Sequence, residues 1–247
     1  MIIDTLPKQG DWLFRWRSYM LFCLSPLILL AIGAPEPVEA NLGALADHLF
    51  ETGCLALAFA GLAMRVYCVG HVPAGTSGRN TRRQIAETLN TTGLYSLTRN
   101  PLYLANSIIY MSFALFTQNI FFVSIMGLFL VLYLERIIAT EERFLVAKFG
   151  DAYLQWARQV PAFFPRLHGW QAPELGFSWK SAIRREYSGL FAIVVAFFAL
   201  DQLRESITHR AIFLDPAWLA GLAAGTVFYF TVRTAKKMTK RLDVAGR

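Results

Sequence analysis

Long uncharged apolar runs dominate the chain: Tyr19 to Ala34, Thr52 to Met64, Leu102 to Leu134, Tyr187 to Leu200 and Pro216 to Val232. A bilayer core about 30 Å thick needs roughly 20 residues of helix, so the shorter runs must recruit flanking Trp, Tyr and snorkelling Arg or Lys to span it. As one helix rising about 1.5 Å per residue, Leu102 to Leu134 would be about 50 Å long and overshoot the hydrocarbon. Thr117, Gln118 and Asn119 supply a turn in its middle. The pattern therefore predicts an all-α polytopic integral membrane bundle of six helices, over 13–34, 45–70, 102–117, 119–140, 187–203 and 213–233.

Two segments are too long to be plain connectors. His71 to Pro101 opens with the turn formers Pro73, Gly75, Ser77 and Gly78 and then offers Arg82 to Leu89 as a short helix. Glu141 to Glu186 starts as a continuation of the fourth helix and breaks at Pro161 and Pro165. Between Ile138 and Trp156 the apolar residues Ile138, Phe144, Leu145, Phe149, Tyr153 and Trp156 keep roughly helical spacing, with Gly150 weakening the middle. The expected organisation is 1–70 as the first two spans, 71–166 as a core of loop, helical hairpin and cytoplasmic cap, and 167–247 as linker, two further spans and a basic tail.

Composition agrees with a membrane protein: 55% of the 247 residues are hydrophobic and 17% charged, against about 25% charged in a typical soluble domain. The formal charge of +7 in a soluble protein would suggest nucleic acid. Here the positions decide. With six spans, the N-terminus, 71–101, 141–186 and the C-tail share one side, and only Arg204 and Arg210 of the 24 Lys and Arg fall on the other. By the positive-inside rule both termini are expected in the cytoplasm of what reads as a bacterial inner-membrane protein, with no nucleic-acid partner. Cys23, Cys54 and Cys68 lie in apolar segments without metal-ligand spacing and read as packing residues, so no metal is expected. The N-terminus lacks the order of features of a removable signal peptide.

Ionisable groups in or beside a membrane helix are costly and mark candidate sites. One cluster runs from Thr98 to Asn106: Pro101 suits the first helical position, setting Arg99 and Asn100 at the helix mouth, with Tyr103 and Asn106 on nearly one face. The other is Glu135, Glu141, Glu142 and Arg143 at the cytoplasmic end of the fourth helix. A hairpin of the third and fourth helices brings the two clusters to the same membrane surface. Asp47, His48 and Glu51, on the outer side with no second His, read as a polar helix end.

Gly93-Leu94-Tyr95-Ser96-Leu97-Thr98-Arg99-Asn100-Pro101-Leu102-Tyr103, followed by Glu141-Glu142-Arg143-Phe144-Leu145, then Lys148-Phe149-Gly150-Asp151-Ala152-Tyr153 and Val160-Pro161, resembles the isoprenylcysteine carboxyl methyltransferase and phospholipid methyltransferase superfamily. The resemblance covers about residues 65–166. It departs at Asn100, where the family usually has His, and at Ala105, where Gly is common. Thr76 to Thr81 and the paired helices after Tyr187 resemble a bacterial branch.

The resemblance implies S-adenosylmethionine as cofactor, held between membrane helices and the cap, with Tyr95, Arg99, Asn100, Pro101, Tyr103, Asn106, Glu141, Glu142 and Tyr153 as its binding residues. Carboxylates of Glu141 or Glu142 suit its ammonium or ribose, Arg99 its carboxylate, and Tyr103, Tyr153 or Trp156 its adenine. Arg99, Asn100, Glu135 and Arg143 are the catalytic candidates: cations to orient an anionic acceptor, carboxylates to take a proton from an amine. The resemblance implies O-methylation of a carboxylate or phosphate on a lipid or lipid-anchored substrate, and the lack of an imidazole at Asn100 points slightly the same way. N-methylation of an ethanolamine headgroup and a non-enzymatic transporter or scaffold are the alternatives. A transporter would more often carry its site near the midplane.

Overall fold

The structure, a computed structural model, describes residues 2–16, 19–33, 36–73, 75–76, 86–209 and 214–246. Among the described residues the secondary structure is helical throughout. The elements are α1 (Ile2–Trp16), a 3-10 turn (Met20–Leu24), α2 (Ser25–Ile32), α3 (Pro37–Leu42), α4 (Ala44–His71), a second 3-10 turn (Gly93–Ser96), α5 (Pro101–Phe116), α6 (Ile120–Phe149), α7 (Asp151–Gln159), α8 (Trp179–His209) and α9 (Pro216–Met238). Of these, α4 and α6, with 28 and 30 residues, are long and apolar enough to cross a membrane, whereas the apolar α5 has 16.

The predicted helix over 13–34 is not continuous. The amphipathic α1 ends at Trp16 and Pro26 opens α2, because proline has no N–H to carry a helix through. With eight residues, α2 rises only about 12 Å. The turn expected in the middle of Leu102 to Leu134 is present. There α5 ends at Phe116, Gln118 adopts φ 54°, and the Asn119 side chain caps α6 by accepting from the Phe121 and Phe122 amides at 3.1 and 3.0 Å. The helix continues past 140 to Phe149, where Gly150 at φ 54° separates it from α7. The proposed helix Arg82–Leu89 falls largely outside the described residues, as do Ser77, Gly78, the 77–81 stretch and Arg210, and residues 86–89 are not helical.

Packing ties these elements around the α4–α5 pair. A Cβ on Gly61 would lie 2.8 Å from the Ala105 carbonyl, so glycine lets the two backbones meet. Ala58, Leu62, Ile109, Phe116, Ile193 and Phe197 form the adjoining core with α8. At the end of α5 away from the cap, Arg204 of α8 pairs with Glu36 at 3.0 Å and with Glu51, and lies over the Phe116 ring. Gln118 there holds the buried Asp47 at 2.5 Å, so this acidic end is a structural junction. On the opposite flank α1 lies along α6, with Phe14 buried against Tyr133, Leu134 and Ile137.

Candidate active site

The chain before α5 is fastened to the chain after α7. Residues 97–100 run beside 161–166: the Arg99 amide donates to the Pro161 carbonyl at 2.9 Å and the Arg166 amide to that of Leu97 at 3.0 Å. Side chains complete the clamp, Thr98 Oγ1 donating to the Phe163 carbonyl and Asn100 Nδ2 to the Ala162 carbonyl, each at 2.8 Å. Pro101, fully buried, starts α5 with the φ its ring imposes. The α7 cap is thereby drawn over the mouth of the α5–α6 hairpin.

Under the cap the charged residues meet. Arg99 Nη2 lies 2.7 Å from Glu142 Oε1, with side chains 16% and 29% exposed. Its Nη1 donates to the Ala157 carbonyl at 2.7 Å. One turn into α5, the Tyr103 hydroxyl donates to Glu141 Oε1 at 2.7 Å. Tyr153, from α7, is buried, with its hydroxyl within electrostatic reach of the Glu142 carboxylate. Burial first, and then the Glu142 charge, push its phenol above the ordinary tyrosine range, partly opposed by Arg99. Burial raises Tyr95 likewise, within electrostatic reach of Glu141. The motif residues Tyr95, Arg99, Tyr103, Glu141, Glu142 and Tyr153 thus share one neighbourhood, and Asn100 serves its clamp.

Three buried polar atoms in that neighbourhood lack a hydrogen-bond partner: Arg99 Nε, Trp156 Nε1 and Glu142 Oε1. The Arg99–Glu142 contact is an ion pair outside hydrogen-bond geometry. Leaving such groups unsatisfied costs about 1–3 kcal/mol each, so their concentration here marks a place built for something polar.

Other predicted residues lie apart. Glu135 is 57% exposed and 3.9 Å from Arg136. Arg143 turns to α1 and pairs with Asp11 at 2.8 Å. Asn106 accepts from Arg65 Nη1 at 2.7 Å, and Arg65 makes a two-point pair with the buried Glu186 at 2.9 and 2.7 Å. Sequence reasoning passed over both members of this pair. The available signal was a single Arg interrupting the apolar face of α4 at a depth matched by one Glu in α8. A cavity of about 250 Å³ opens on the α4 side of the Gly93–Ser96 turn, lined among others by Tyr67, His71, Asn90, Thr91 and Glu174. Glu36, Glu39 and Asp47 offer oxygens within 4.8 Å of one another, but Glu36 and Asp47 are engaged by Arg204 and Gln118.

Residues 74–152 match the family described as phospholipid methyltransferase. The chain is 30% identical over 159 residues to the cobalt-zinc-cadmium resistance protein CzcN of Cupriavidus metallidurans, covering 62% of each. It is 31% identical over 119 residues to the nickel-cobalt-cadmium resistance protein NccN of Alcaligenes xylosoxydans xylosoxydans, covering 48% of this chain and 51% of the relative. The chain therefore spans less than two thirds of the length of these curated relatives. No solved structure matches it.

Proposed function

We propose that this chain, whose residues 74–152 match the phospholipid methyltransferase family, is an integral membrane methyltransferase that uses S-adenosylmethionine to methylate an oxygen of a lipid or lipid-anchored acceptor at the cytoplasmic face. The observation that carries the reading is the convergence of Arg99, Glu142, Tyr103 and Glu141 under α7. The distribution of cations supports termini on the cytoplasmic side.

The residues fit the cofactor. Its amino-acid end carries a carboxylate and an ammonium, and the unsatisfied Arg99 Nε and Glu142 Oε1 are a donor and an acceptor for them. When bound, S-adenosylmethionine supplies a methyl group on a sulfonium, transferred by in-line displacement. The chain's own task is then to hold, orient and dry. Arg99 and Glu142 orient the charged end, and Tyr153 and the α7 cap exclude water, which favours a reaction that disperses charge.

At Asn100 the amide is committed to the Ala162 carbonyl and offers no base. This favours an acceptor already anionic at neutral pH, a carboxylate or phosphate. A second reading, N-methylation of an ethanolamine headgroup, is favoured by the family's description and by Glu141, a carboxylate able to take the proton an amine must shed. The test is to incubate membranes containing the protein with methyl-labelled S-adenosylmethionine and identify the labelled lipids by mass spectrometry. A methyl ester is expected. Mono- and dimethylated ethanolamine lipids would select the second reading, and the absence of any labelled lipid or protein would overturn both.

A further inference from the structure

Resting on the methyltransferase reading above, we infer that Arg99, Glu142 and Trp156 form one binding site for the α-amino-acid end of the cofactor, with the indole N–H of Trp156 as a second donor to its carboxylate. Trp156 lies beyond the segment matched by the family, which ends at residue 152.

The inference follows from counting donors and acceptors. Arg Nε–H and indole Nε1–H can only donate, and an ionised Glu oxygen can only accept. The three atoms in question, all buried and unsatisfied, are therefore two donors and one acceptor. A simple anion would satisfy the donors and be repelled by Glu142. A simple cation would satisfy Glu142 and be repelled by Arg99. A group carrying a carboxylate and an ammonium a few bonds apart satisfies all three.

Neighbouring contacts place the donors together. Arg99 Nη1 binds the carbonyl of Ala157, the residue after Trp156. The Trp156 ring meets Tyr153 edge to face at 5.6 Å, and Tyr153 lies within electrostatic reach of Glu142. With the ring committed to Tyr153, the polar edge of Trp156 is the part left to offer a ligand. The Arg99–Glu142 pair balances the site's charge by itself, at 2.7 Å but outside hydrogen-bond geometry. A zwitterion exchanges that one contact for two directed ones and leaves the net charge unchanged. Glu142 rides on α6 and Trp156 on α7, joined at Gly150 with φ 54°.

The experiment is calorimetric titration of the full-length protein in detergent with S-adenosylhomocysteine and with its decarboxylated counterpart, which keeps the sulfur, ribose, adenine and ammonium. The wild-type protein is expected to prefer S-adenosylhomocysteine by about tenfold or more, the scale of charge-assisted hydrogen bonds. Trp156→Phe is expected to weaken S-adenosylhomocysteine about tenfold and leave the decarboxylated ligand within about twofold. Equal weakening of both ligands, or no change in either, overturns the assignment while leaving the methyltransferase reading standing. Equal wild-type affinity for the two ligands overturns it without recourse to any variant, so a poorly folding Trp156→Phe protein does not shelter it. Failure of the wild type to bind either ligand overturns both.

Discussion

The Arg99 guanidinium meets the Glu142 carboxylate at 2.7 Å, joining the segment that precedes α5 to the last third of α6. The contact closes the open end of the hairpin and sits beneath α7, whose Ala157 carbonyl takes the other arm of the same guanidinium. One side chain thus reports on three elements at once, and the function assigned to this mouth depends on their staying together.

The clamp at Asn100 gives a first prediction. Asn100→Ala removes the donor to the Ala162 carbonyl and is expected to cost about 1–2 kcal/mol. Amide hydrogen exchange should speed up over residues 159–166 and stay unchanged in the middle of α4. Asn100→His, which keeps a ring N–H, should restore most of the protection; uniform exchange in all three proteins would remove the clamp from the account.

Much of this arrangement was legible in the sequence, for physical reasons. The period and length of the apolar runs set α4, the α5–α6 turn and α9, because hydrocarbon thickness leaves few alternatives. The order of Arg99, Pro101, Tyr103, Glu141 and Glu142 placed them at one mouth, because a hairpin returns its ends to one surface. Illegible were the facings set by partners distant in sequence. Arg143, one position from Glu142, turns to Asp11 because α1 docks on that side of α6. The helix expected over 13–34 is interrupted because hydropathy is blind to the break ahead of Pro26.

The Arg65–Glu186 pair fixes α8 to α4 and, through Asn106, to α5. Glu186→Ala leaves the guanidinium buried without its counterion and is expected to destabilise the fold by about 3–5 kcal/mol, with Glu186→Gln milder. Thermal unfolding in detergent measures this, and an unchanged midpoint for Glu186→Ala would count against a structural role for the pair.

Gly10 is where α1 touches α6. A Cβ there would fall 2.0 Å from Thr140 Oγ1 and 2.2 Å from the Arg136 carbonyl. Gly10→Leu should lift α1 from α6, break the Asp11–Arg143 pair and expose α1 to limited proteolysis. Cleavage at the wild-type rate would show that the helix tolerates a side chain at its crossing.

Tyr153 carries a pH prediction. Its phenol is raised above the ordinary value of 10.0, chiefly by burial and then by the Glu142 charge. A raised folded value means that its stabilising contribution is complete below pH 10 and is lost as pH climbs through the higher folded value. In alkaline difference absorbance the exposed tyrosines should ionise near pH 10 without Tyr153. Tyr153→Phe should therefore leave that step's amplitude unchanged; a drop of one tyrosine's worth would place the phenol in the ordinary range.

The central claim is that the mouth closed by Arg99 and Glu142 transfers methyl groups to a membrane acceptor. Its most direct measurement is labelled methyl transfer from S-adenosylmethionine by purified protein reconstituted with total bacterial lipid, comparing wild type with Arg99→Ala and Glu142→Ala. The account predicts transfer by the wild type and a loss of about 100-fold or more in each variant, the scale expected when a reacting group is misplaced. No transfer by the wild type, or transfer by both variants at its rate, would contradict it.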